Sequence, residues 1–215
     1  MPAVAQQPPA PQAQPMIVVS GEGVVRAVPD RAVVVITAES RAKSPADAQR
    51  QNAPAMTAVQ DRLRQAGIPR DAVRTLGYDL QPEFDYVNGR QALRGYVARN
   101  TIEVTIDTLG RVGEIIDLSV GAGATSVQSL RFDLKTRANA EREALRLAVA
   151  DARARAEAAV EGAGQRIDRI WRIEESRTFS PPPVLLREAA QVAPTPIAAG
   201  EIEIRAQVTL SAVLR

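Results

Sequence analysis

The C-terminal stretch EIEIRAQVTLSAVLR places an apolar residue at every second position. Successive side chains of a β-strand point to opposite faces of its sheet, so this spacing predicts one long strand with a buried face. A lone strand cannot bury that face, and the chain must therefore contain a sheet with a covering layer. The alternating positions are Ile202, Ile204, Ala206, Val208, Leu210, Ala212 and Leu214.

Six further segments have strand patterns. The β-branched runs Ile17–Val19 and Val33–Ile36 predict two strands, and the second is apolar on both faces, which is typical of a central strand. Asn88-Gly89 predicts the turn of a β-hairpin over residues 73 to 107, because both residue types tolerate the positive φ that such turns require. Two more strands are predicted around residues 130–134 and 167–175.

Three segments have helical patterns. The first begins with Ser44 as N-cap and Pro45 at the first helical position, and ends near Gly67. Pro54 lies inside it and is expected to kink or split it, because proline cannot donate the helical hydrogen bond. A short helix is predicted around residues 112–120 and a long one over 138–162, whose alanine-rich stripe allows close contact with a neighbour.

The predicted order is therefore ββαββαβαββ. Helices do not alternate with single strands throughout, which argues against a parallel doubly wound sheet. The sequence predicts an α+β fold with an antiparallel or mixed sheet, or sheets, of about seven strands. Three helices are expected on one face, and the β-hairpin is expected to protrude.

Two segments differ in composition from the rest. Residues 1–16 carry Pro, Ala and Gln and no charge, which predicts a disordered tail before one domain over 17–215. Residues 176–200 contain five prolines and predict a long irregular loop. In the tail, Ala3-Val4-Ala5 has the form of a signal-peptidase site. It is interpreted either as the trace of a removed signal peptide or as a chance match in an ordinary tail.

The residue inventory excludes much catalytic chemistry. The chain has no histidine and no cysteine, so the common nucleophile–base pairs and thiolate metal sites are absent. Gly21-Glu22-Gly23 lacks the third glycine and following helix of a nucleotide loop, and Gly121-Ala122-Gly123 follows its helix instead of preceding it. We therefore predict no catalytic, cofactor-binding or metal-binding residues.

Carboxylates are the remaining candidates for chemistry. Glu174 and Glu175 are adjacent in a strand and face opposite ways, so they cannot converge on one substrate. Asp79, Glu83 and Asp85 share a face only if their strand continues through Pro82. A solvated hairpin edge is the favoured interpretation of this acidic group.

Charge gives little sign of a polyanionic partner. The formal net charge is +2, and this near balance argues against nucleic acid, which usually selects a concentrated basic face. Lys43 and Lys135 are the only lysines, and all other basic residues are arginine. Arginine recognises phosphate and carboxylate by bidentate hydrogen bonds, but codon usage in a GC-rich genome is the favoured explanation. No run of 18 apolar residues is present.

The hairpin holds four of the seven aromatic residues: Tyr78, Phe84, Tyr86 and Tyr96. They either form a contact surface for a partner or pair across the two strands and stabilise the hairpin itself. Phe84 and Tyr86, near the tip, are the predicted partner-contact residues. An exposed arm with aromatic side chains is costly in a monomer, so a homo-oligomer is expected.

Four stretches resemble the SIMPL-domain family of bacterial envelope proteins. They are VSGEGVVRAVPDRAVVVI (19–36), GYVARNTIEVTI (95–106), ALRLAVADARARAEAAVEGAG (144–164) and PIAAGEIEIRAQVTL (196–210). The resemblance implies an α+β fold, a periplasmic or outer-membrane-associated location, and no accepted enzymatic activity. Some family members are linked to stress protection, which in a cysteine-free chain would not be thiol-based.

Two functional hypotheses of different class follow. The first is a non-enzymatic periplasmic protein that acts through self-assembly or by binding an envelope protein or a membrane surface. The second is an enzyme that uses carboxylate, arginine or tyrosine side chains on an anionic envelope substrate.

Overall fold

The computed structural model describes residues 14–87, 89–176 and 199–215, which form seven strands and three α-helices in the predicted order. The α+β class is confirmed. The elements are β1 (Met16–Ala27), β2 (Arg31–Ala42), α1 (Pro45–Gln65), β3 (Val73–Val87), β4 (Arg90–Ile106), α2 (Val112–Gly121), β5 (Ser126–Asp133), α3 (Arg137–Gly162), β6 (Ile167–Ser176) and β7 (Ile202–Leu214).

Several predicted features fall outside this description. Most of the predicted tail and of the Pro-rich loop, residues 1–13 and 177–198, lies outside the described residues, as does Asn88 of the predicted turn. Gly89 has φ +75°, the conformation for which glycine was expected there. β1 already begins at Met16, the last residue of the predicted tail.

The chain divides into two compact units. One contains β2, α1, β3, β4, α2 and β5, with a four-stranded antiparallel sheet in the order β3-β4-β2-β5. β2 is central, as its apolar faces predicted. Alternate residues of β2 and β4, such as Val34, Ile36 and Ile102, are fully buried against α1 and α2. The two helices contribute Met56, Val59, Leu63, Val112 and Ile115 to this core.

α1 is one uninterrupted helix of 21 residues, although Pro54 lies within it. The expected split does not occur. Ser44 caps the helix as predicted, since its side chain accepts a hydrogen bond from the Asp47 N–H. The buried Asn52 side chain ties the helix to the sheet, because its Nδ2 donates to the carbonyl oxygens of Ala38 at 2.8 Å and Ala98 at 3.1 Å. Core packing on both sides of Pro54 compensates for the lost helical hydrogen bond.

The other unit contains β1, α3, β6 and β7, with a three-stranded sheet in the order β1-β7-β6. β7, the strand with the regular alternation, is central. Its ends meet the opposite ends of β1, since Leu214 N–H donates to the Pro15 carbonyl at 2.9 Å and Arg26 pairs with Glu203 at 3.5 Å. β1 and β7 are therefore antiparallel, as are β6 and β7. Val208, Leu210 and Ala212 of β7 form the core with the alanines of α3.

Two glycines in β1 allow the strand to lie directly on α3. A Cβ atom at Gly21 would stand 2.3 Å from the Ala152 nitrogen, and one at Gly23 would stand 2.0 Å from the Ala144 carbonyl oxygen. The facing helix positions Ala144, Ala148 and Ala152 are fully buried. Glycine on the strand and alanine on the helix together permit this backbone contact, and this packing explains the Gly-x-Gly pattern.

Candidate interaction surface

The end of the β3–β4 hairpin extends past its neighbouring strand. β3 pairs with β4 from Val73 opposite Val104 to Val87 opposite Arg90, whereas β2 pairs with β4 only as far as Tyr96. Beyond that point, residues 90–95 of β4 have β3 as their strand partner. We call residues 83–95 the distal hairpin.

The predicted contact residues lie on the distal hairpin and are exposed. The exposed fraction is 44% for Phe84, 78% for Tyr86 and 53% for Leu93. Phe84 and Tyr86 are two positions apart on β3, and Leu93 is directly opposite Phe84, so the three side chains share one face. We call these three residues the hairpin surface. Their role as partner contacts stays a prediction.

The four hairpin aromatics do not stack directly across the two strands. Tyr78 is opposite Asn100, Phe84 opposite Leu93, Tyr86 opposite Gln91 and Tyr96 opposite Pro82. Directly opposite aromatic pairs would have been the simplest means by which these residues stabilise the hairpin itself. Phe84 and Leu93 are nevertheless a directly opposite apolar pair, so both predicted interpretations of the aromatic residues stay open.

The acidic group of the hairpin is balanced by arginines. Asp79 lies 3.7 Å from Arg99, and Asp85 lies 3.7 Å from Arg94. Glu83 lies 3.3 Å from Arg41. Neighbouring strands thus supply a cation for each carboxylate, an arrangement that agrees with a solvated edge. Across the described part of the chain, no three carboxylates group closely enough to hold a metal ion.

A second exposed apolar surface lies on β6, and sequence reasoning missed it. Ile170, Trp171 and Ile173 are exposed by 42%, 64% and 47%. Between α3 and β6 lies a cleft of about 600 Å³, to which Val160, Ile170 and Leu210 contribute apolar side chains. We call it the β6 cleft. A sequence feature that could have indicated this surface is the single tryptophan of the chain, Trp171, which lies next to Arg172 in a predicted strand.

A smaller cleft of about 310 Å³ lies where β4 ends. Ile68, Ile106 and Ile115 are its buried apolar residues, and Asp71 and Arg111 are among its polar ones. Asp107 also lines this cleft. Its carboxylate accepts a hydrogen bond from Arg31 at 3.1 Å and forms an ion pair with Lys135 at 3.1 Å. The hydrogen bond from Lys135, with that from Arg31, lowers the pKa of the Asp107 carboxyl below its ordinary value.

The direction of the pKa shift argues against a general-acid role for three individual carboxyl groups. The pKa of Glu114 is lowered by its hydrogen bond from Arg111, and that of Asp151 by its hydrogen bond from the Glu22 backbone N–H. A carboxyl that acts as a general acid near neutral pH needs a raised pKa instead. Asp107, Glu114 and Asp151 are therefore suited to hold cations and N–H donors in place.

None of the helices in residues 14–87, 89–176 and 199–215 is long and apolar enough to cross a membrane.

Comparison with known proteins extends the resemblance to almost the whole described fold. The family described as SIMPL, Protein of unknown function (DUF541), matches residues 17–212. The 26 kDa periplasmic immunogenic protein of Brucella abortus (strain S19) is 33% identical over 213 residues, which cover 94% of this chain and 85% of that protein. The protein of the same name from Brucella melitensis biotype 1 is 32% identical over the same shares.

A more distant relative is the uncharacterized protein YggE of Escherichia coli (strain K12). It is 26% identical over 181 residues, which cover 84% of this chain and 74% of that protein. The family match starts at β1 and ends within β7, so it includes the Gly-x-Gly strand, the hairpin and the alanine-rich helix. The chain belongs to the SIMPL family.

Proposed function

We propose that this chain is a non-enzymatic protein of the bacterial periplasm that acts by self-assembly through the hairpin surface. The observation that carries the proposal is the exposure of Phe84, Tyr86 and Leu93 on one face of the distal hairpin. The location rests on the names of the Brucella relatives, which are periplasmic proteins. Association with the outer membrane, and a part in stress protection, stay predictions.

The position of the hairpin surface supports an interface. Leu80 of β3 is opposite the fully buried Ala98, and Phe84 and Tyr86 follow Leu80 at even spacing. Along β3 this spacing places them on the side of Leu80, and the register shift between Glu83 and Phe84 leaves Arg94 of β4 as an extra residue. Tyr78, opposite Asn100, is also 48% exposed on this strand, so exposure is not confined to the distal hairpin. Phe84, Tyr86 and Leu93 differ from Tyr78 because they lie past the last pair between β2 and β4. Apolar residues at such positions are typical of surfaces that a partner covers.

The partner contact is expected to use side chains instead of strand edges. Pro82 lies in the edge strand β3 and has no N–H to donate to an added strand. β6, an edge strand of the other sheet, has two register shifts, between Ile167 and Arg169 and between Ile170 and Arg172. Proline and β-bulges are devices that protect sheet edges from pairing with another chain.

Variants of the hairpin test the assembly. Phe84→Ser with Tyr86→Ser removes two aromatic side chains that are solvent-exposed, so the fold is expected to survive. Because the proposed contact is lost, the oligomer is expected to dissociate and its measured mass to fall. Val120→Ser is the matched control, because Val120 is 52% exposed on α2, away from the hairpin. Light scattering gives the mass and circular dichroism checks the fold. A hairpin variant with unchanged oligomer mass would contradict the proposal.

Cell fractionation tests the location. The gene is expressed with its own N-terminal region in a Gram-negative host, and the chain is followed in osmotic-shock, cytoplasmic and membrane fractions. We expect it in the osmotic-shock fraction with a periplasmic marker enzyme. Recovery with a cytoplasmic marker would contradict a periplasmic location.

The enzymatic alternative has one feature in its favour, the 310 Å³ cleft at the end of β4. Arg31 and Arg111 lie in its wall, so an anionic envelope substrate is the class to test. Thermal shift with phosphates, sugar phosphates and organic acids provides the test. A ligand that raises the Tm by several degrees in the wild type, but not in Arg111→Gln, would favour the alternative over a purely assembling protein.

A further inference from the structure

We propose that the free edge of β1 is a binding site for an extended segment of another protein, which the sheet takes up as an added β-strand. The inference goes beyond the proposed self-assembly, because its partner is not a copy of the chain. The site also lies in the compact unit that does not contain the hairpin.

One side of β1 has no strand neighbour. The sheet order β1-β7-β6 places β1 at an edge. The Leu214 N–H donates to the Pro15 carbonyl at 2.9 Å, so odd-numbered residues here direct their backbone groups towards β7. Because this direction alternates along a strand, even-numbered residues direct theirs to the free side. We call the outward backbone groups of residues 16, 18, 20, 22 and 24 the β1 edge.

Asp151 of α3 gives independent evidence of this direction. The Glu22 N–H donates to the Asp151 carboxylate at 2.9 Å instead of to a carbonyl of β7. A side chain of the helix thus supplies the acceptor that a neighbouring strand would supply with its backbone. The N–H groups of the β1 edge therefore point to a place where an acceptor from outside the sheet can lie.

The other three sheet edges in the described part of the chain carry features that hinder strand addition. Pro82 interrupts the row of donors in β3, and β6 has two register shifts. In β5 a register shift leaves Gln128 as an extra residue. Natural sheets use such features to keep their edges from pairing with other chains.

The edge strand β1 has neither feature. Met16–Ala27 contains no proline. Two contacts tie its ends to β7, from Pro15 to Leu214 and from Arg26 to Glu203, and they lie eleven residues apart on both strands. No residue is therefore inserted between them on either strand, and the β1 edge is a regular row of donors and acceptors.

Apolar side chains lie beside this row on the side of the sheet away from α3. Gly21 and Gly23 face α3, so the even-numbered side chains point the other way. Val18 is 62% exposed, and Met16 and Val24 are exposed too. An added strand would place every second side chain next to them and cover them.

The helix α3 borders the β1 edge on the other side. A Cβ atom at Gly23 would stand 2.9 Å from the Leu147 Cβ, yet Leu147 is 42% exposed. Leu145 and Val149 pack on the core with β7, and two residues turn a helix by about 200°. Leu147 therefore lies on the flank away from that core, where it would contact the remaining side chains of an added strand.

The row of backbone groups determines the class of partner. Donors and acceptors that recur at every second residue are matched by the backbone of another extended chain. Apolar side chains on both sides of the row favour a segment with apolar residues at alternate positions. A β-rich protein that has not yet folded exposes such segments.

Binding of a model peptide tests the proposal. The probe is a fluorescein-labelled peptide about ten residues long, with alternating valine and threonine and a lysine at each end. Fluorescence anisotropy should show saturable binding to the full chain. The same peptide with N-methyl groups on its central residues cannot pair at either edge and should not bind. Equal binding of the two peptides, or no saturable binding up to about 1 mM, would overturn the inference.

Proline on the β1 edge provides a variant that blocks pairing. The Val18 N–H points outward, so Val18→Pro removes no bond to β7 and an edge strand tolerates it. It should weaken peptide binding at least about tenfold, whereas Val18→Thr, which keeps the N–H, should stay within about threefold of the wild type. Val24→Pro is the second variant if circular dichroism shows Val18→Pro unfolded. Wild-type affinity in a folded proline variant would contradict strand addition.

Asp151→Ala tests the position of the added strand. This change frees the Glu22 N–H for a carbonyl of the peptide and should tighten binding. Weaker binding in a folded Asp151→Ala chain would show that the peptide does not take the place of the carboxylate, and would overturn the inference.

Amide hydrogen exchange of the wild-type chain locates the peptide without any substitution. The amides of Met16, Val18 and Ser20 should exchange more slowly when the peptide is bound. Those of Ile17 and Val19, which point towards β7, should change little. Protection without this alternation would contradict pairing along the β1 edge.

The hairpin variant separates this inference from the proposed function. Phe84→Ser/Tyr86→Ser should bind the peptide like the wild type, and Val18→Pro should keep the wild-type mass in light scattering. Loss of peptide binding only in the hairpin variant would overturn the inference and leave the hairpin as the contact surface. A lower mass of folded Val18→Pro would show that the β1 edge is occupied by a copy of the chain, and would also overturn it.

Discussion

At the residue scale, Gly21 and Gly23 form a pattern whose spacing excludes a nucleotide loop. The spacing does not show why glycine is needed at these two positions. The purpose emerges from the facing helix, where the backbone at Ala144, Ala148 and Ala152 leaves no room for a Cβ atom on β1. Sequence could predict that the alanine stripe permits a close contact, but not which strand makes it, because strand order is a property of the fold.

The first prediction concerns this contact. Gly23→Ala should lower the free energy of unfolding by about 1–3 kcal/mol or more, because the new methyl group would overlap the Ala144 carbonyl oxygen and strand and helix would have to separate. Gly77→Ala is the matched control, since a Cβ there has nothing within 4 Å and Gly77 is also in a strand. Chemical denaturation measures both variants. Equal stability of the two would refute the close contact.

The second prediction concerns Asp151, whose carboxylate accepts hydrogen bonds from the Glu22 backbone N–H at 2.9 Å and from Arg155. These bonds lower its pKa in the folded state, so as the pH falls the unfolded state takes up this proton first. Its stabilising effect is therefore full above the ordinary pKa of 3.8 and is lost as the pH falls through the lower folded value.

Asp151→Asn should consequently lower the Tm at neutral pH, and the two melting temperatures should converge in strong acid. Thermal unfolding from about pH 7 to about pH 2 measures this difference. A Tm difference that is constant over the whole pH range would show that the charge of Asp151 is not responsible.

At the element scale, the order of strands and helices was predictable because hydrophobic periodicity reports it directly. Pro54 shows the limit of local rules: proline costs about 3 kcal/mol inside a helix, yet α1 continues through it, since its Met56, Val59 and Leu63 are buried in the core. The exposure of β6 was not predictable either. Its strand pattern is correct, but only the placement of α3 determines that Ile170 and Ile173 are uncovered.

The third prediction concerns β7. It is the central strand of its sheet, and the side chains of its residues Val208, Leu210 and Ala212 are completely or almost completely buried. Burial of a large apolar side chain stabilises by roughly 1.5–3 kcal/mol, and a typical domain has about 5–15 kcal/mol in total. Deleting residues 201–215 should therefore abolish cooperative folding of the unit that contains β1, α3 and β6.

Thermal unfolding followed by circular dichroism measures the effect of this truncation. A chain that lacks only Arg215 is the graded comparison: it loses the two backbone hydrogen bonds between Arg166 and Arg215, at 3.1 and 2.9 Å, but keeps all of β7, and it should melt only slightly below the wild type. A truncated chain that melts cooperatively at the wild-type temperature would show that β7 is peripheral.

At the scale of the whole molecule, sequence patterns identified the family and the fold class but not the division into two units. Hydrophobic periodicity is a local property, whereas the partition of seven strands into sheets of four and three depends on pairing between distant segments. Phe84 and Tyr86 could be singled out as candidate residues because aromatics in an otherwise aromatic-poor chain are conspicuous. The β6 cleft could not, because isoleucines in a strand normally indicate core.

The central claim is that this chain acts as an assembly of copies. Multi-angle light scattering of the wild-type chain at tens of micromolar tests it most directly. We expect one species whose mass is a multiple of 23.1 kDa, and a lower mass when Phe84 and Tyr86 are replaced by serine. A single species of 23.1 kDa over the whole concentration range would contradict the account.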